Sequence, residues 1–271
     1  MADLLDDAKR VVLAWPGRTV PLLSPMAFWW DGRNVWFSTS SASVKARMLG
    51  GNGECALYVP PVDDGDDGLV ARGQARVFGL ADPVGLATHA GILAAAQAAL
   101  MLKNAQSMVG YLTDAPKIPR EFLPPNRVLV RVALEDHQSV VPPGIGKGIA
   151  PGLPTEVPPE IRRSLGGARR VVLATQADGV LGLMPAVWGA GFSLVVPKGM
   201  VLQDGSAVTA VLDHDPGFRP TEVAGISLSG TVTTSGPKPK LQPEKVRWWS
   251  GFDLDTAEVS SSPTSTIVIP D

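Results

Sequence analysis

Apolar residues along the chain fall in short runs, alternating with polar residues or continuous, broken by glycine, proline and aspartate, and the runs come in the same order twice. "RVVLAWPGRTVPLLSPMAFWW", from Arg10, aligns without a gap with "RVVLATQADGVLGLMPAVWGA", from Arg170. Arg10, Val11, Val12, Leu13, Ala14, Val20, Leu23 and Pro25 recur 160 positions later as Arg170, Val171, Val172, Leu173, Ala174, Val180, Leu183 and Pro185. Composition alone does not give eight identities in one register over so short a window. Beyond it, "NVWFSTS" parallels "GFSLVVP", "ECALYVPP" parallels "SAVTAVLD", and "GLVARGQARVFG" parallels "GISLSGTVTTSG", with Gly73 and Gly230 inside the last pair. "NRVLVRVALED" is matched to "EKVRWWSGFDLD". Runs of this length and valine content predict strands, five or six per copy.

Two copies are too few for a solenoid, and small antiparallel units remove their exposed edges by closing into barrels. The expectation is a mainly β protein of two tandem barrels, an internal duplication packed face to face as a pseudo-dimer, with a few helices. "VVPPGIGKGIAPGLPTEVPPE" has neither period and reads as a linker with polyproline character. The predicted boundaries are a first barrel over 1–139, a linker over 140–160 and a second, trimmed barrel over 161–271. One segment has helical length: "PVGLATHAGILAAAQAALMLKNAQSM", residues 83–108, opened by Asp82 as N-cap and Pro83 as first helical residue. Its alanines, glycines, glutamines and histidine make it less apolar than a membrane span, so a buried or half-buried helix is expected. In the second copy only "GPKPKLQPEK" stands in its place.

Composition narrows the function classes. A net charge of -2 gives no basic excess to neutralise a track of phosphates, which argues against a dedicated nucleic-acid binder. The single cysteine, Cys55, cannot form an internal disulfide and fits a reducing compartment. "MADLLDDAKR" carries acids where a secretory signal has positive charge, so a cytoplasmic protein without a membrane anchor is expected.

The chemistry concentrates in "FSTSSASVKARML", residues 37–49. A strand ends in hydroxyls and a helix begins with Lys45 and Arg47, cations at the end of a helix that favours anions. Hydroxyls, amides of a helix start and a mobile ammonium are what a phosphate monoester needs; a serine-capped surface helix with solvated basic residues has the same pattern.

Taken together, "TVPLLSPMAFWWDGRNVWFSTSSASVKARML", "ECALYVPP" and "GLVARGQARVFG" resemble the FMN-binding split barrel of the pyridoxamine-phosphate-oxidase-like group, which includes the flavin and deazaflavin oxidoreductases of actinobacteria. The resemblance covers residues 10–80 and implies two tandem split barrels. It implies that Ser43 and Lys45 bind a cofactor phosphate, with Ser38 and Thr39 beside them and Arg47 as a further contact. Leu23, Ser24, Pro25 and Met26 match the strand whose backbone runs along the flavin ring. The cofactor implied is FMN, FAD or F420, one per chain, because "VVPKGMVLQDG" in the second copy lacks the Ser-x-Lys turn. Haem, bound by a histidine in some split-barrel relatives, is a further option, for which His89, His137 and His214 are the candidates. The strand "TVPLLSPM" has no arginine or lysine, which counts against pyridoxamine phosphate as substrate.

In that group the ring lies across a dimer interface, so the second copy is expected to act as a built-in partner, with Trp188, Trp248 or Trp249 as walls. The function implied is an oxidoreductase passing hydride or electrons to a small organic acceptor, the alternative being a flavin- or haem-storage protein without turnover. The assembly expected is a pseudo-dimeric monomer or a homodimer. No metal pair, nucleophile elbow or complete calcium loop stands out in the sequence.

Overall fold

The computed structural model describes residues 2–63, 65–79, 82–120, 126–177, 179–214 and 219–260. The end of the second predicted barrel, 261–271, lies outside the described residues. In the first copy, α1 (Ala2–Asp7) precedes β1 (Arg10–Trp15), β2 (Leu22–Ala27), β3 (Trp29–Trp30) and β4 (Asn34–Ser40). Then come α2 (Val44–Gly51), β5 (Glu54–Val59), β6 (Gly68–Phe78), α3 (Pro83–Thr88), α4 (Ala90–Lys103), α5 (Ala105–Asp114) and β7 (Arg127–Val140). The second copy has α6 (Pro159–Leu165), β8 (Arg170–Ala177), β9 (Val180–Gly189), β10 (Ser193–Val195), β11 (Ala207–His214), β12 (Ala224–Thr233), β13 (Lys240–Ser250) and β14 (Asp253–Glu258). Between β7 and α6 the chain has neither helix nor strand.

Two seven-stranded antiparallel sheets result, with orders β2-β1-β5-β6-β7-β4-β3 and β10-β9-β8-β11-β12-β13-β14. The shared part, β2-β1-β5-β6-β7 against β9-β8-β11-β12-β13, is the same path drawn twice. The first sheet's two edges, β2 and β3, are one stretch of chain interrupted only at Phe28, which is fully buried in the core. The sheet therefore curls until its edges meet at that bend. In the second copy β10 pairs with β9 and also, through Ser193 and Lys240, with β13, which closes the ring. Both copies are barrels split at one seam.

Register carries the duplication to single residues. Val12 faces Pro25 and Ala14 faces Leu23, while Val172 faces Pro185 and Ala174 faces Leu183. Gly73 and Gly230 both sit at a register shift, with Glu135 and Glu244 skipped on the opposite strand. A Cβ on Gly73 would lie 2.3 Å from the Ala133 carbonyl oxygen, and one on Gly230 would lie 1.9 Å from that of Gln242. Only glycine admits the neighbouring strand at such a bulge. These glycines correct one sequence match. Leu134 opposes Gly73 and Pro243 opposes Gly230, so the counterpart of "EKVRWWS" begins at Glu135, nine residues past the Asn126 of the sequence match. Alternation has a period of two and cannot fix a register; the bulge does.

The two barrels pack face to face. Val11, Leu13 and Trp15 fill the first barrel, while Val12 and Ala14 between them point outward. That outward face meets its own duplicate: Val12, Ala14 and Leu23 share one apolar cluster with Val172, Ala174 and Leu183. Equivalent residues meeting across a two-fold relation make an isologous interface within one chain. It also explains why "VVLA" is continuously apolar: one face is barrel core and the other interface. Thr209 Oγ1 donates to the Pro21 carbonyl at 2.6 Å, and Arg10 pairs with Asp213 at 2.7 Å across the same seam.

The helical segment opens as the sequence indicates, Asp82 Oδ1 accepting the Gly85 N–H at 2.8 Å with Pro83 at N1. It forms three helices rather than one, because His89 and Asn104 both leave helical geometry, Asn104 turning its side-chain amide back to the Leu100 carbonyl. Leu93, Ala96 and Leu100 of α4 cover Trp36 and Phe78 on the outside of the barrel. Among the described residues, no helix is long and apolar enough to cross a membrane.

Candidate phosphate-binding site

Strand β4 delivers the hydroxyls. Successive side chains of a strand point to opposite faces. Val35 and Phe37 lie in the barrel core, and buried Thr39 continues that side. Trp36 and Ser38 take the outer side, where Trp36 stacks on Phe78. Ser43 then caps α2 with extended backbone (φ −66°, ψ 147°), its Oγ accepting the Ala46 N–H at 3.1 Å. Thr39 Oγ1 and Ser43 Oγ lie 3.3 Å apart.

Lys45 is in the first turn of α2, a turn without any acidic residue. Its side chain turns away from water: Nζ donates to Ser24 Oγ at 2.8 Å and contacts Met26 Sδ at 3.0 Å. Ser24 and Met26 alternate along β2 and share a face. Burial, with a smaller contribution from the Arg127 guanidinium, pushes the Lys45 ammonium down to about 7. Its two acceptors are neutral, and among the described residues no carboxylate pairs with it. A half-buried ammonium with neutral acceptors, on a helix start whose cap Ser43 also meets the Thr39 hydroxyl, is a donor set that an anionic oxygen cluster fits.

Arg47 and Ser38 belong to another surface. Arg47 is exposed and lines an outer cleft of about 800 Å³ with Arg76, Asn126 and Arg127. Arg127 donates from Nε to Ser38 Oγ at 2.9 Å and from Nη2 to the Ser38 carbonyl at 2.8 Å. The structure pairs Lys45 with Ser24 and Thr39 with Ser43, the residue that caps the same helix start, and turns Ser38 toward Arg127, which lines the outer cleft with Arg47. Arg127 was not legible in the sequence; it meets Ser38 only because β7 pairs with β4.

Leu23 and Pro25 face outward, and Leu23 is buried in the interface. The tryptophans divide. Trp188 fills the core of the second barrel, 1% exposed, its Nε1 donating to the Ala168 carbonyl at 2.8 Å. Trp248 packs against that same core, whereas Trp249 packs on the interface cluster. Residues alternate along β13, so of the expected walls Trp249 is the one directed at the first barrel.

Near β4, the Trp30-Asp31-Gly32 hairpin is locked by Asp31, which accepts from the N–H groups of Arg33 and Asn34 and from Trp36 Nε1 at 2.7 Å. Burial raises its carboxyl, but these hydrogen bonds outweigh that and hold it below the usual carboxylate range. Gly32 takes φ 88° to close the turn. His89 lies against Phe78 with Nδ1 near Thr88 and the Gly85 carbonyl, while His137 and His214 are exposed on separate strands. Among the described residues, no group of three or more His, Cys, Asp or Glu side chains is placed to hold a metal ion.

No family model matches the chain, and no curated protein matches it. Solved structures do. An F420 reductase is 22% identical with a TM-score of 0.33, over 50% of this chain and 94% of that one. A FAD-binding protein from Mesorhizobium loti is 13% identical with a TM-score of 0.37, over 51% of this chain and 89% of that one. A protein related to general stress protein 26 of the pyridoxinephosphate oxidase family, from Clostridium acetobutylicum, is 18% identical with a TM-score of 0.34, over 52% and 84%. Each of the three matches spans about half of this chain.

Proposed function

We propose that this chain binds the phosphate of a flavin or deazaflavin cofactor (FMN, FAD or F420) at Ser24, Thr39, Ser43 and Lys45, and acts as an oxidoreductase on a small organic acceptor. The observation that carries the reading is the Lys45 ammonium, drawn 2.8 Å from Ser24 Oγ without a carboxylate partner among the described residues. A phosphate there replaces neutral acceptors with anionic oxygens, and charge-assisted hydrogen bonds contribute about 1.5–3 kcal/mol each. One complete phosphate site per chain is expected, since β10 is followed by Pro197-Lys198-Gly199 and not by a helix.

When bound, the cofactor supplies hydride or electrons. The chain's part is to anchor the phosphate through Lys45, present the β2 backbone beside the ring, and exclude water with the second barrel, where Trp249 offers an aromatic wall. A second reading, binding or storage without turnover, is favoured by one feature: among the described residues, no histidine or carboxylate hydrogen-bonds to Ser24, Thr39, Ser43 or Lys45, so no proton donor accompanies the anchor.

The experiment is mass spectrometry of the small molecule released from protein purified out of a host that makes flavins, haem and F420. FMN, FAD or F420 in near-stoichiometric amount is the expected result; haem alone, or no bound molecule, contradicts the reading. Single-turnover reoxidation of the reduced complex by a quinone then separates enzyme from store.

A further inference from the structure

Between the two barrels lies a second, partly open cavity whose lining owes nothing to Lys45. It measures about 290 Å³ and is walled by Val12, Tyr58 and Pro60 of the first barrel, Val172 and Pro185 of the second, and Pro142 of the connecting segment. Internal symmetry explains why space is left here. Tyr58 is the counterpart of Val211, and Pro60 that of Asp213, because Val12 faces Tyr58 as Val172 faces Val211. On one side of the two-fold relation Arg10 closes the seam with Asp213; on the other, Pro60 stands at the position equivalent to Asp213. The walls are stiff, since proline fixes its own backbone, and a cavity held open by such residues is preformed.

Its polar content is sparse and specific. Tyr58 is 4% exposed, and its hydroxyl makes no hydrogen bond among the described residues. Burial pushes that phenol up to about 12, opposed by Arg170, so it remains an O–H donor at any physiological pH. The charged groups, Arg170, Asp66 and the Arg10–Asp213 pair, are of both signs. The hydroxyl opens onto the cavity without a protein acceptor among the described residues, so it is available to a ligand acceptor in place of water.

We infer that this cavity binds a compact, apolar, uncharged ligand with one hydrogen-bond acceptor, of the class of aryl ketones, enones and quinones, the acceptor being held by the Tyr58 hydroxyl. The volume lies at the bottom of the range for small-molecule sites, about 300–1,000 Å³, which suits a one- or two-ring molecule without a nucleotide tail. This site does not depend on the cofactor reading above.

The test is ¹⁹F NMR of 4-fluoroacetophenone titrated into the full-length chain. Saturable line broadening in the millimolar range is expected for so small a ligand. Tyr58→Phe keeps the ring and removes the donor, and should weaken binding about three- to tenfold. Val172→Phe fills the cavity and should abolish it, with circular dichroism reporting the fold of both variants. Absence of broadening with the unaltered chain, undiminished binding by Tyr58→Phe, or displacement of the ketone by FMN would each overturn the proposal.

Discussion

Lys45 and Ser24 lie 21 residues apart and on different elements, yet the lysine Nζ reaches the serine Oγ at 2.8 Å, helix α2 leaning its first turn onto strand β2. That contact joins the two stretches for which the sequence suggested separate jobs, phosphate anchor and ring-side strand. It makes the lysine a probe of the whole site.

Lys45→Ala should weaken cofactor binding by about 1.5–3 kcal/mol, ten- to a hundredfold, by removing a charge-assisted hydrogen bond. Because the unliganded ammonium has only neutral acceptors, the variant should melt no lower than the parent. Fluorescence titration and thermal unfolding check both halves; a large loss of stability would mean that Lys45 serves the fold.

Binding should also depend on pH with a definite sign. The Lys45 ammonium stands at about 7 without ligand, pushed down mainly by burial, and an anion beside it favours the charged form. Binding above pH 7 therefore takes up a proton, and affinity should fall as pH rises from 7 to 9, by at most tenfold per unit. For FMN, a phosphate monoester, the second charge is lost below about pH 6 and affinity should fall again. Calorimetry in buffers of different ionisation enthalpy measures the uptake directly.

Stability of the unliganded chain moves the opposite way. The folded lysine is depressed below its ordinary 10.5, so between pH 7 and 9 the unfolded chain holds a proton that the folded one has released. Stability therefore rises with pH over that window on this lysine's account, and is flat below it, where both states are protonated. Lys103 is shifted in the same direction by burial, so the difference between parent and Lys45→Met isolates Lys45. Urea midpoints at pH 7 and 9 should separate less in the variant.

Gly73→Ala and Gly230→Ala should each destabilise by about 2–3 kcal/mol, the upper part of the usual range for one substitution, because each added methyl meets a carbonyl oxygen of the adjacent strand. Matching losses at two sites so far apart in sequence would be the energetic signature of the duplication. Chemical denaturation of each variant measures it.

Trp188→Phe should lower stability by about 1–3 kcal/mol through the lost bond to the Ala168 carbonyl and looser core packing, and leave cofactor affinity unchanged. Trp249→Ala is the variant expected to weaken cofactor binding.

Much of this was legible in the chain, and the reason is physical. "RVVLA" at both ends of a constant offset betrayed the duplication because each copy buries both faces of that strand, leaving no position free to drift. Asp82-Pro83 and Ser43 announced their helices because capping is local chemistry. The register of the last strand was not legible, since alternating patterns look alike two residues apart; Gly73 and Gly230 fix it only when set opposite Leu134 and Pro243. The side taken by Ser38, the partnership of Arg127 and the choice of Trp249 over Trp188 depend on which strand lies beside which. Spacing along one chain does not carry that.

The most direct measurement compares FMN with riboflavin, which differ only in the terminal phosphate, for parent and Lys45→Ala. The expected result is a ten- to hundredfold preference of the parent for the phosphorylated form, collapsing in the variant. Equal affinity for both forms, or a preference that survives loss of the lysine, would contradict a phosphate anchored at Lys45.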